Sequence, residues 1–192
     1  FYQRLAFDEI FSSYLVHSEI RKKIKKIKKK RKSFNINNQS KFISELEFDL
    51  TKDQLRSLNT INKDLISNQK MFRLLQGDVG SGKTIVALIA ALNVVNSGFQ
   101  VAVMAPTEIL ARQHFLLAKR LFKTSIKIDL LSGKSEYKDR KRILANLNNQ
   151  EIDIIFGTHS IFQKKVEFKK LGLIIIDEQH KFGVNQRKKL SD

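Results

Sequence analysis

The stretch GDVGSGKT, Gly77 to Thr84, satisfies the pattern G-x-x-x-x-G-K-[ST] in full. Glycines at 77, 80 and 82, with Asp78, Val79 and Ser81 between them, let the backbone curl until successive N–H groups point into one anion-sized hollow. Lys83 would reach the β and γ phosphates of a nucleotide as a point charge, and the Thr84 hydroxyl would ligate Mg²⁺. Far along the chain, the apolar run Leu173 to Ile176 ends in Asp177 and Glu178. Two adjacent acids leaving a core repel each other and need a cation or a task. Asp177 suits the Mg²⁺ carboxylate of a nucleotide hydrolase, and Glu178 the group that polarises water toward the γ phosphate. His180 has two readings, a sensor of the γ phosphate or an ordinary residue at a helix start. Gln54 also has two: its amide can read the edge of adenine, and it equally completes a helix cap with Thr51.

Two further stretches, APTEILARQH (Ala105 to His114) and GTHSIFQ (Gly157 to Gln163), each follow an expected strand and place a Thr where a helix or turn begins. Hydroxyls and free N–H groups at such positions bind phosphate without reading bases, so Pro106, Thr107, Thr158 and His159 are candidates for contact with a nucleic-acid backbone. Each stretch taken singly is also explained as a helix cap.

These residues require a scaffold of alternating elements. Strands are expected at 71–75, 100–104, 126–131, 152–156 and 173–176, with helices near 83–96, 108–122 and 136–147 and Gly98 as a helix stop. Such alternation argues for a parallel sheet covered on both faces, with sites at the carboxyl ends of the strands. Thr51 and Gln54 form a capping-box pattern ahead of Leu55, Leu58, Ile61 and Leu65, an amphipathic helix. Before it, SFNINNQSKF reads as a linker, and a boundary near residue 45 divides the chain into 1–44 and 45–192. Residues 3–32 contain neither Pro nor Gly and carry helical periodicity, with RKKIKKIKKKRK at 21–32 holding ten cations and no acid.

Those ten are the larger part of a net charge of +17, from 36 Lys and Arg against 19 Asp and Glu. Such an excess favours a polyanionic partner, nucleic acid first, although a solvated helix face would carry the same residues. There is no cysteine, which excludes disulfides and Cys-ligated zinc. The longest apolar stretch, Ile85 to Val95, is interrupted by Asn93 and falls short of the roughly 18 residues of a membrane span, so a soluble chain with no membrane partner is expected. Position 1 is Phe, and the sequence reads as a piece of something longer.

GDVGSGKT, MAPTEILARQH, GTHSIFQ and DEQHKFGVNQR stand in the order and spacing of the first motor lobe of superfamily 2 helicases, and DEQHKFGVNQR resembles the RecG family of branched-DNA helicases. The wording of transcription-repair coupling and primosomal translocases is similar. The resemblance implies an α/β fold, a RecA-like P-loop NTPase lobe with a central mainly parallel sheet; the basic helical segment read above would precede it. It implies ATP and Mg²⁺ as cofactors, branched double-stranded DNA as partner, and work on stalled forks and Holliday junctions in a bacterial cytoplasm. It carries the phosphates and Mg²⁺ to Gly80, Gly82, Lys83 and Thr84, Mg²⁺ and water to Asp177 and Glu178, adenine to Gln54 and interlobe coupling to His180. A second lobe supplying arginines and a wedge domain would belong to the full-length chain, leaving this piece nearly inactive alone. The alternative is a nucleic-acid binding module that holds a nucleotide without hydrolysing it, for which Glu178 would have no use. A kinase or GTPase with the same loop would leave the two Thr-bearing stretches unexplained, and a GTPase would need an Asn-Lys-x-Asp signature that is absent.

Overall fold

The computed structural model describes Phe34 and residues 39–123, 125–133, 136–163 and 165–178. The elements in chain order are α1 (Gln39–Ser44), α2 (Lys52–Ile66), α3 (Lys83–Val95), β1 (Gln100–Met104), α4 (Glu108–Phe122), β2 (Ile128–Leu131), α5 (Tyr137–Asn148), β3 (Ile154–Gly157), a 3-10 turn (His159–Phe162) and β4 (Leu171–Ile176). All strand pairs are parallel, in the order β2-β3-β1-β4. Met104 pairs with Gly157 and Ile176, and Leu131 with Gly157, so the four carboxyl ends share one edge of the sheet.

Strand alternation sends successive side chains into two cores. Val101, Val103, Ile154 and Phe156 join α2, α3 and α4 on one face, whereas Ala102, Ile155 and Leu131 join Ile143 and Leu147 of α5 on the other. β1 is buried along its whole length, as a parallel strand covered on both faces must be. Gln100 begins that strand with no exposed surface, and its amide meets three backbone groups. Its Nε2 donates to the carbonyls of Leu147 (2.8 Å) and Ile152 (2.9 Å), while its Oε1 accepts from Lys170 N (3.1 Å). Gly172 lets α3 come close to β4, since a Cβ there would lie 2.7 Å from Val94 Cγ1.

Three expectations are corrected. Residues 71–75 are not a strand: Phe72 and Leu74 are exposed, Met71 and Leu75 pack on the core, and the segment joins no ladder among the described residues. An apolar run supplies propensity, but a strand also needs a neighbour's N–H and C=O groups. The stretch read as a linker runs into α1, whose Gln39 Oε1 accepts from Asn62 Nδ2 (2.6 Å) and Asn93 Nδ2 (2.7 Å). Phe34 is buried against Phe99. The shorter strands β2 and β3 begin two residues later than expected because the Asp153 side chain accepts from Lys127 N (2.8 Å) just before the ladder. The basic segment at 21–32 lies outside the described residues.

Candidate nucleotide site and nucleic-acid groove

The phosphate loop is assembled by three elements. α2 presents Gln54 in a complete capping box: Gln54 N donates to Thr51 Oγ1 (3.2 Å) and Thr51 N to Gln54 Oε1 (2.9 Å). The same side chain then reaches the loop, its Nε2 donating to Ser81 O at 2.9 Å. Gly80 (φ 81°) and Gly82 (φ 77°) lie in the left-handed region that glycine enters without strain, and a Cβ at Gly82 would overlap Gln54 Nε2. The loop tightens through Ser81 N to Asp78 O at 3.2 Å. Lys83 folds back over it, donating to the carbonyls of Gly77 (2.7 Å) and Asp78 (2.6 Å).

α3 begins at Lys83 with neither a side-chain cap nor an acid in its first turn, leaving the positive end of the helix facing the loop. Curled glycines, a lysine and a bare helix start fit a chain of phosphates. Thr84 and Asp177 are the residues that could hold Mg²⁺. Among the described residues no group of three or more His, Cys, Asp or Glu gathers, so an ion here would take its other ligands from phosphate and water, as Mg²⁺ ordinarily does.

Asp177 leaves the sheet directly after β4, with its N–H donating to Met104 O at 2.8 Å. Its Oδ2 lies 2.8 Å from Nε2 of His114 on α4. The Asp177 carboxyl is held below its ordinary value of 3.8. The His114 hydrogen bond is the largest cause, burial opposes it, and the electrostatic pull of His114, the Glu178 N–H and the charge of Lys83 add to the lowering. Lys83, 94 positions earlier in the chain, is the smallest of these causes. Glu178 follows at φ 46°, a left-handed conformation that costs a non-glycine residue on the order of 1–3 kcal/mol and is typical of working sites. His180 lies outside the described residues.

At the same edge of the sheet, Pro106, Thr107, Thr158 and His159 line one groove of about 520 Å³. Thr107 caps α4, its hydroxyl accepting from Leu110 N at 3.3 Å. Gly157 makes room for the turn that follows, since a Cβ there would overlap Leu131 O and crowd Ile161. Sequence reasoning missed three contributors to this wall. Gly133 and Arg140 come from the far side of β2, with Arg140 Nη2 donating to Gln163 Oε1 at 2.7 Å, and Glu108 accepts from Ser132 Oγ at 2.9 Å. His114 was missed as well, although it stands within the APTEILARQH stretch.

A parallel sheet with these two sites on its carboxyl edge defines a nucleotide-binding lobe of the RecA type. The chain belongs to the DEAD/DEAH box helicase family, which it matches over residues 51–192. It is 45% identical over 189 residues to the ATP-dependent DNA helicase RecG of Thermotoga maritima, covering 98% of this chain and 24% of the relative. It is 50% identical over 161 residues to the RecG of Bacillus subtilis, covering 83% of this chain and 24% of the relative. Among solved structures, RecG bound to a three-way DNA junction superposes with a TM-score of 0.82 at 43% identity, over 94% of this chain and 25% of that one. The UvsW helicase of bacteriophage T4 (TM-score 0.59, 16% identity, 85% of this chain and 56% of that one) shares the fold. The chain thus spans about a quarter of the length of the curated relatives it matches.

Proposed function

We propose that this chain is the ATP-binding motor lobe of a helicase or translocase that acts on branched double-stranded DNA. The observation that carries the reading is the glycine loop closed over by Lys83, together with Asp177 leaving β4 at the sheet edge that also holds the Thr107–Thr158 groove. A nucleotide bound in the loop would sit within one rigid lobe of the groove. The 43% identity to a RecG solved on a three-way junction supports branched DNA as the substrate class.

Within this reading, Gly77 to Gly82 cradle the phosphates, and Lys83 exchanges its loop carbonyls for β and γ oxygens. Thr84 and Asp177 would hold Mg²⁺, whose charge would offset that developing on the phosphates. Glu178 polarises the attacking water. Gln54 fastens the loop and has one amide hydrogen left with which to meet adenine. Pro106, Thr107, Thr158 and His159 track the DNA backbone, fixing register without reading sequence. A second lobe and a wedge domain of the same full-length chain complete the machine. Arginines from such a lobe are worth about 10³–10⁵ in rate, so the isolated lobe binds ATP and hydrolyses it very slowly.

The test is ATP hydrolysis by the full-length protein on a three-way junction and on linear duplex, in wild type and Lys83→Ala. The junction stimulates more than the duplex, and Lys83→Ala lowers the rate about 10²-fold or more. Equal stimulation by both DNAs removes the branch preference, and an unaffected mutant removes the motor.

A further inference from the structure

His114 stands on the buried stripe of α4. Ala111, Phe115, Ala118 and Phe122 recur with it at helical spacing, and Phe115 meets Phe156 of the sheet edge-on at 6.1 Å between ring centres. An imidazole in an apolar stripe needs a hydrogen-bond partner, and it finds one outside its own helix, in the carboxylate of Asp177 at 2.8 Å. Its side chain is only 13% exposed, so water competes little for that bond. Thr107, the residue at the groove, caps the same helix seven positions earlier, about 10 Å along a rigid rod.

We infer that His114 is a positioning residue that holds the Asp177 carboxylate in place and ties its orientation to α4, and through that helix to whatever occupies the Thr107 groove. The inference rests on the motor reading above and deepens it. A phosphate backbone engaging the amino end of α4 draws on the helix as a unit, because its hydrogen-bonded backbone and its seat on Phe156 leave it no internal hinge. The far side of that displacement is the His114 Nε2 atom. Hydrogen bonds weaken steeply with distance and angle, so a small shift of α4 reorients Asp177 relative to Lys83 and Thr84. One helix thereby gives DNA a direct mechanical hold on the nucleotide site.

The experiment uses the full-length protein with His114→Ala, His114→Phe and His114→Gln. Phe fills the apolar stripe but donates no hydrogen bond, whereas Gln carries an N–H at nearly the reach of Nε2. Three quantities are measured: the Mg²⁺ half-saturation for binding a fluorescent non-hydrolysable ATP analogue without DNA, the ratio of ATPase rates with and without a three-way junction, and affinity for the junction without nucleotide. Ala and Phe are expected to raise the Mg²⁺ half-saturation and to lower the stimulation ratio by about 10–100-fold, as loss of a group orienting a metal ligand does, with junction affinity kept. Gln is expected to restore most of both. If Ala does not fold, Phe against Gln decides. A folded Phe variant with the wild-type ratio and wild-type Mg²⁺ dependence overturns the inference and assigns His114 to packing alone. A wild type without Lys83-dependent, junction-stimulated hydrolysis overturns the motor reading instead.

Discussion

Gln54 Nε2 donates to Ser81 O at 2.9 Å while Gln54 Oε1 accepts from Thr51 N, so one amide joins the start of α2 to the phosphate loop. The two ends of this side chain can be separated by substitution. Gln54→Glu keeps an acceptor for Thr51 N and hence the capping box, but it removes the donor and sets a carboxylate against a carbonyl. Gln54→Glu should melt within a degree or two of wild type yet bind nucleotide at least several-fold more weakly. Gln54→Ala should lose both, with about 1 kcal/mol of stability lost at the cap. Thermal melting and nucleotide titration of the two variants check the division.

The glycines at 80 and 82 share a positive φ but not a neighbourhood. At Gly80 a Cβ meets nothing within 4 Å, whereas at Gly82 it overlaps Gln54 Nε2. Gly80→Ala should therefore cost only the left-handed backbone, about 1–2 kcal/mol, and keep measurable nucleotide binding. Gly82→Ala adds a displaced Gln54 and should abolish binding. Equal affinity in the two variants would show that the contact with α2 has no bearing on the loop.

Gln100 predicts a purely structural effect. Gln100→Leu fits an apolar interior but strands the carbonyl of Ile152 and the N–H of Lys170, and leaves the Leu147 carbonyl with the Gln150 N–H alone. The expected loss is roughly 1–3 kcal/mol for buried polar groups left without partners. It should be read from the urea midpoint, with nucleotide affinity of the folded protein unchanged.

Asp177 predicts a pH dependence whose sign follows from its lowered value. Its carboxylate is favoured in the folded chain relative to an ordinary 3.8, so its contribution is full above that value and is lost as pH falls through the lower, folded one. Asp177→Asn should therefore melt below wild type at pH 6, and the gap should close as pH drops below about 4. His114→Phe should shrink the same gap at pH 6, because the largest cause of the lowering goes with the imidazole.

What could be read from the sequence was what is local in the chain. The Thr51–Gln54 box, the α4 boundaries at 108 and 122 and the helix stop after Val95, where Gly98 sits at φ 78°, depend on residues a few positions apart. What could not be read depends on distant partners. QSKFIS has little helical pattern of its own, and α1 is held by Gln39 reaching Asn62 and Asn93. MFRLL has strand propensity without a ladder, and His114 gains its meaning from an aspartate 63 residues away. The groove residues Gly133 and Arg140 belong to no pattern until the parallel order β2-β3-β1 brings them beside Thr158.

The Gln39–Asn62–Asn93 junction is built from amides alone, with Asn93 Nδ2 also donating to Asn62 Oδ1 at 3.0 Å. Neutral amides are not weakened by counterions, so this seam between three helices should be indifferent to ionic strength. On the motor reading, a chain with a net charge of +17 needs concentrated electrolyte to leave a polyphosphate. The lobe should stay folded under those conditions, so that a salt titration of the complex proposed above reads as dissociation rather than as collapse.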